Sequence, residues 1–227
     1  MADPPMRPVD LALCLAIDVS ASVDFDEFGL MLGGLAAAFR DAEIQAAIAA
    51  GPRGAIAVAA LFWSAAATPP ELAVPWMRLE DAATADAFAT ALEAAPRLPA
   101  PGATALGEGM AAGLALLARC PAAATRLVLD VSGDGRSNQG RAPGPVRDIG
   151  VGAGVTINAL AVLDEEGPAL VAHFRDEVIG GPGSFVLDCA DHADFARAIR
   201  LKLLREIGEG GALLAGAPRG AAADGTG

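Results

Sequence analysis

LALCLAIDVSAS, residues 11–22, is the stretch from which the fold can be read. It begins as an apolar run without helical period, ends at Asp18 and continues with hydroxyls at alternate positions, Ser20 and Ser22. Such a run reads as a buried strand, central in a parallel sheet, with polar residues gathered where its carboxyl end opens into a loop. Open α/β sheets place their ligand sites at that end. One carboxylate with two hydroxyl oxygens close behind it is an oxygen-only cluster suited to a hard divalent cation, Mg²⁺ first and Mn²⁺ second.

With 227 residues, 53% of them hydrophobic, the chain has enough material for one good-sized core and reads as a single domain. Its 28 Asp plus Glu against 16 Lys plus Arg, a formal net charge of -12, speak against nonspecific attraction to nucleic acid or anionic lipid. The long hydrophobic regions are Ala-rich and interrupted by charge, Gly and Pro, so none has the length of a membrane span. The opening MADPPMRPVD lacks the apolar core of a signal peptide. Two cases stay open: a cytoplasmic protein, or a periplasmic one whose leader has been removed. Cys14, Cys120 and Cys189 form neither a disulfide-rich framework nor a zinc pattern. Cys14 reads as a small buried hydrophobe inside the first strand, and a Cys120–Cys189 bridge stays open for an exported protein.

Outward from the first strand, residues 24–49 place Phe25, Phe28, Leu32, Leu35, Phe39, Ile44 and Ile48 at broadly helical spacing behind Asp24 as a cap. They predict one long helix or two joined ones. A second strand is expected over 55–63, and an edge strand near 72–76, where Pro69, Pro70 and Pro75 limit pairing in a sheet interior. Helices are expected over 81–94 and 105–117, separated by RLPAPGAT, which delivers Thr104 just before the second of them. The next strand, 125–131, runs into SGDG at 132–135, so acidic and hydroxyl oxygens again gather at a strand end. A short helix near 146–153, a strand over 155–162, a small helix over 168–177 and a short strand over 184–187 follow. The last helix opens at Asp191 or His192 and carries Phe195, Ile199, Leu203 and Ile207 inward. This order predicts a doubly wound, mostly parallel Rossmann-like sheet with helices on both faces and one antiparallel edge strand. The divisions are an extension over 1–8, one domain over 9–207, and a flexible low-complexity tail over 208–227.

These residues resemble those of von Willebrand factor A-type domains. DVSAS at 18–22 matches the D-x-S-x-S motif of that family, Thr104 its separate threonine, and Asp134 its later aspartate, and the likeness extends over about 9–207. AIDVSASVDFDEF, DVSGDGRSNQG, TINALAV and VIGGPGSFV resemble, more narrowly, an uncharacterised bacterial group of these domains. Members of that group usually look exported, whereas no leader is visible here. The resemblance implies a metal-ion-dependent adhesion site. Ser20 and Ser22 would offer hydroxyl oxygens to Mg²⁺, Thr104 would coordinate directly or through water, and Asp18 and Asp134 would act mainly through water while holding the serines. It also implies a protein partner that presents Asp or Glu.

D-x-S-x-S alone is a weak motif, and Asp18 by itself reads equally well as a strand-end turn or helix cap. Thr104 before one helix and Asp134 at another strand end favour the metal. Ser132 is a candidate supporting residue, and Arg136, Asn138 and Gln139 are candidates for the rim or for a solvated loop. Asp130 is expected to pack or cap backbone, and Glu108 to be an exposed helix residue. Trp63 and Trp76 are expected to pack against helices, with Trp63 also placed to line the metal-bearing face. His173 and His192 are expected on the surface or in caps. No G-x-G-x-x-G, Walker or G-x-S-x-G pattern is present. A noncatalytic metal-dependent binding module is therefore the first reading, and the alternative is a metal-assisted phosphate-ester hydrolase with Asp18 as nucleophile. That chemistry wants a second carboxylate two residues on, where Ser20 stands, and a lysine near the phosphate. The only lysine is Lys202, in the last helix.

Overall fold

The computed structural model describes residues 6–164 and 167–215, with side chains through Gly208. Its elements are β1 (Met6–Asp18), α1 (Phe25–Arg40), α2 (Ala42–Ala49), β2 (Ile56–Trp63), β3 (Glu71–Leu79), α3 (Ala82–Glu93), α4 (Leu106–Leu117), β4 (Ala122–Gly133), α5 (Pro143–Gly152), β5 (Val155–Val162), α6 (Pro168–His173), β6 (Val186–Cys189) and α7 (Phe195–Ala215). The strands form one sheet in the order β3-β2-β1-β4-β5-β6. All neighbours are parallel except β3, which runs antiparallel to β2 at the edge.

β1 lies between β2 and β4, buried on both faces, which is why its sequence is continuously apolar. A period of two survives in residue size. Leu11, Leu13, Leu15 and Ile17 point into the core formed with α1, α3 and α7, while Ala12, Cys14 and Ala16 point into the core on the α4 face. The small residues let α4 come close. A Cβ on Gly113 would lie 2.5 Å from Leu129 Cδ1 and 3.5 Å from Cys14 Sγ, and one on Gly109 would lie 2.4 Å from the Trp63 ring. Trp63 is thereby buried against α4.

The 24–49 region is two helices joined at Asp41. That residue ends α1 in an extended conformation and caps α2 by accepting from the Glu43 and Ile44 N–H groups. Arg200 of α7 binds the same carboxylate at 2.9 Å and holds it below the usual carboxylate range. The stripe behind this helix pair is buried as expected except at Phe25, which is 75% exposed.

The edge strand β3 is longer than the expected 72–76 because its register slips between Val58↔Met77 and Ala60↔Val74. The slip places exposed Pro75 in an irregular stretch of the ladder, where its missing N–H costs no regular pairing. The final strand falls two residues later than expected, at Val186–Cys189, and all three cysteines are free, so the Cys120–Cys189 bridge does not form. α7 begins after a 3-10 turn at His192–Asp194, which Asp191 caps. Its backbone stays helical to Ala215; the rest of the expected tail, 216–227, lies outside the described residues. No helix among the described residues is long and apolar enough to cross a membrane.

Candidate metal centre

The chain leaves β1 toward β2 on one side and later returns to β4 on the other, so the carboxyl ends of β1 and β4 flank the switch point of the sheet. Ile17 is level with Ser132, which brings the loop after Asp18 beside the SGDG turn. Asp18 is fully buried. Its Oδ1 accepts from the Ser20 N–H at 2.7 Å, and its Oδ2 has no hydrogen-bond partner among the described residues. The turn folds Ser20 Oγ to 3.2 Å from Ser22 Oγ, and Ser22 Oγ donates to Asp134 Oδ1 at 2.9 Å. A Cβ at Gly133 would lie 3.2 Å from Asp18 Oδ2, and one at Gly135 3.6 Å from Thr104 Oγ1. Gly133 keeps the β4 turn close to the Asp18 carboxylate, and Gly135 lies in ordinary contact distance of the threonine. Asp18, Ser20, Ser22, Thr104 and Asp134, scattered over 117 positions of sequence, thus meet at one end of the sheet.

The surrounding loops are tied to one another by main-chain bonds. Ala21 N–H donates to Gly102 O at 2.8 Å, and Ala105 N–H to Ser64 O at 3.0 Å. Thr104 is held at both of its main-chain groups by one residue. Its N–H donates to Asn138 Oδ1 at 2.9 Å, and its carbonyl accepts from Asn138 N–H at 3.0 Å. Gln139 Oε1 accepts from Ala66 N–H at 2.8 Å. The polar loop after β4 therefore positions the threonine and is not simply solvated. Glu108 is half-buried rather than exposed; its Oε1 accepts from Arg141 N–H and Nε, tying α4 to the same loop. Ser132 is buried at the end of β4, level with Ile17 of β1.

Arg97 has no motif around it that marks it in the sequence. Its Nη2 donates to Ser20 O at 3.2 Å and to Val23 O, and the guanidinium lies 5.9 Å from the Phe28 ring centroid. It fixes the backbone that carries both serines.

Asp130 and His192 depart from expectation. Asp130 is a buried ion-pair partner of Lys202 Nζ at 2.5 Å, and Lys202 also meets Glu206 Oε1 at 2.6 Å. The one lysine is therefore enclosed in the core, away from any phosphate that Asp18 would attack. His192 is only 3% exposed, because the 3-10 turn folds its ring inward toward α1. His173 is half-buried.

Burial, followed by the charge of Asp134, pushes the Asp18 carboxyl up to about 8, against the opposing bonds from Ser20. Burial raises Asp134 as well. A buried carboxyl with one orphan oxygen, a second carboxylate nearby and neutral hydroxyls between them fit a divalent cation, which would supply the missing partner charge. Because the folded value is raised, Asp18 contributes stability fully below the ordinary carboxylate range and loses it as pH climbs toward about 8. Cation binding needs the ionised form. Mg²⁺ affinity is therefore expected to fall by up to about tenfold per pH unit of acidification below that value. Saturating Mg²⁺ should raise Tm more at pH 8 than at pH 5. Equal increments at both pH values would contradict this account of Asp18.

An oxygen cluster at the switch point of a mostly parallel sheet, with helices on both faces and one antiparallel edge, is the architecture of von Willebrand factor A-type domains, and solved structures bear this out for the fold. The A-type protein from Catenulispora acidiphila is 17% identical with a TM-score of 0.60, covering 90% of this chain and 43% of its own. Proximal thread matrix protein 1 from the mussel byssus, in a form with a zinc-occupied MIDAS motif, is 12% identical with a TM-score of 0.62, covering 89% and 48%. The domain of the type V pili tip protein Mfa5 from Porphyromonas gingivalis is 12% identical with a TM-score of 0.56, covering 96% and 99%. This chain thus spans less than half the length of the first two. The chain belongs to the family described as "Protein of unknown function (DUF1194)", whose sequence profile matches residues 8–210. A search of curated proteins found no match.

Proposed function

We propose that residues 9–207 form a noncatalytic, divalent-metal-dependent protein-binding module in which Asp18, Ser20, Ser22, Thr104 and Asp134 make the metal-ion-dependent adhesion site. The observation that carries this reading is the orphaned, buried Asp18 Oδ2 beside Ser20, Ser22 and Asp134. Ser20, Ser22 and Thr104 offer neutral oxygens. Asp18 and Asp134 orient them, Asp18 through the Ser20 N–H and Asp134 through the Ser22 hydroxyl. The bound ion supplies uncompensated positive charge that a partner Asp or Glu satisfies. Oxygen-only donors favour Mg²⁺, with Mn²⁺ next; the zinc in the mussel protein's MIDAS motif supports a divalent ion at a related site. Attraction of an acidic partner to an acidic protein is consistent, because the field at contact distance is set by the nearest charge.

The direct test is capture of a partner in Mg²⁺. Capture is expected to vanish in chelator, with the Ser20→Ala, Ser22→Ala chain, and on replacing one carboxylate of the partner. Capture that survives chelation and the serine substitutions would overturn the proposal. Metal-dependent turnover of a phosphate ester abolished by Asp18→Asn would put the hydrolase reading in its place.

A further inference from the structure

A second group of ligand-type side chains meets near the same sheet edge and uses none of the residues assigned above. Glu27 stands in the first turn of α1, Asp164 in the loop after β5, and His192 in the 3-10 turn before α7. Their ligand atoms all lie within 4.8 Å of one another. His192 Nδ1 is 3.3 Å from Glu27 Oε1 and 3.5 Å from Asp164 Oδ2.

The imidazole makes this more than an acidic cluster. It is 3% exposed, and neither ring nitrogen has a hydrogen-bond partner among the described residues. Burying such a polar ring without a partner is costly. The two carboxylates lie at ion-pair distance from Nδ1 but outside hydrogen-bond geometry, so the ring faces both without donating to either. Separations of 3.3 and 3.5 Å instead match the edge of a ligand tetrahedron around a shared ion, about 3.3 Å for metal–ligand bonds of about 2.0–2.1 Å.

Each donor is held in place. Glu27 Oε2 accepts from the Asp24 N–H at 2.7 Å in the capping box of α1, which leaves Oε1 turned toward the histidine. Asp191 Oδ1 accepts from Asp194 N–H at 2.9 Å and fixes the turn that carries His192. Leu163 N–H donates to Cys189 O at 3.0 Å, anchoring the residue before Asp164 to the end of β6. The Asp164 side chain is 44% exposed, which gives an ion an entry path and room for a water ligand.

We propose that Glu27, Asp164 and His192 form a second divalent-cation site, of a class suited to Zn²⁺. One imidazole with two carboxylates selects a borderline metal over Mg²⁺ or Ca²⁺, and three protein ligands leave a fourth position for water. The site is distinct in chemistry from the oxygen-only cluster but electrostatically close to it, since His192 favours and Glu27 opposes ionisation of the Asp134 carboxyl.

The test uses the full chain carrying Ser20→Ala and Ser22→Ala, so that zinc at the first cluster does not enter the count. Metal-stripped protein of this background, titrated with Zn²⁺ alone, is expected to take up one ion, with imidazole and oxygen but no sulfur scattering in zinc-edge X-ray absorption. Adding His192→Gln should abolish uptake. Adding Asp164→Asn, at an exposed position that leaves the core intact, should weaken it at least about tenfold, since even outer partners of a metal ligand are worth that much. Zinc uptake undiminished by Asp164→Asn, absence of uptake in the parent background, or a zinc edge without imidazole scattering would each overturn the proposal.

Discussion

Metal-stripped protein titrated calorimetrically with Mg²⁺ is expected to bind close to one ion per chain, and the Ser20→Ala, Ser22→Ala double substitution to weaken that binding by at least about a hundredfold. The pair isolates the hydroxyls well. Asp18 Oδ1 is held by the backbone N–H of Ser20, so alanine there keeps that bond. The Arg97 bonds to Ser20 O and Val23 O also involve only main chain. What disappears is two neutral oxygens and the bond from Ser22 to Asp134. Mg²⁺ holds to octahedral oxygen ligation and is unlike a diffuse counterion in that respect, so removing two donors should not be made good by net negative charge alone. Equal uptake by the folded double variant would sink the assignment of these serines.

Lys202→Met is expected to cost about 3–5 kcal/mol of stability near neutral pH, read from chemical denaturation. Lys202 and Glu206 are fully buried, and the ammonium bridges Asp130 on β4 and Glu206 one turn later on α7. Glu206 also accepts from Asn158 Nδ2 on β5, so this network fastens the last helix to two central strands. Without the ammonium, two carboxyls remain in the core with no opposing charge. Burial and the neighbouring Asp130 already push Glu206 upward, and Lys202 opposes that rise. A raised folded value gives stability that is complete at acid pH and lost as pH increases through it. The variant should therefore lose much less at pH 5 than at pH 8. A loss of equal size at both would mean that packing, not charge, is what Lys202 contributes.

How far the sequence reveals this molecule depends on how local each signal is. β1 is legible because burial on both faces leaves an uninterrupted apolar run, and because that run stops at Asp18. The serines, Thr104 and Asp134 are legible because each adjoins the end of a recognisable strand or the start of a helix. β3 reads short because Pro69, Pro70 and Pro75 argue against regular pairing, whereas the register slip between Val58 and Ala60 absorbs Pro75. Phe25 fits the helical period of α1 yet stays in solvent, since a stripe specifies a face but not how far toward the helix end the neighbour reaches. Lys202 and Asp130 are 72 positions apart, and Glu27, Asp164 and His192 span 165. Nothing in the spacing of such residues announces that the chain will bring them together. Asn138 lies between these cases. The loop marks it as polar, but only its two bonds to Thr104 show what it holds.

The enclosure of Lys202 has a consequence for covalent chemistry. The sequence contains no other lysine, and this one is 0% exposed, so every accessible side-chain cation of the described fold is an arginine or a histidine. Acylating reagents that label most proteins at many ε-amines find no such amine on the folded surface. Any acyl group that reaches Lys202 records an opening of α7 away from β4, which turns a generic labelling reaction into a clock for that single event.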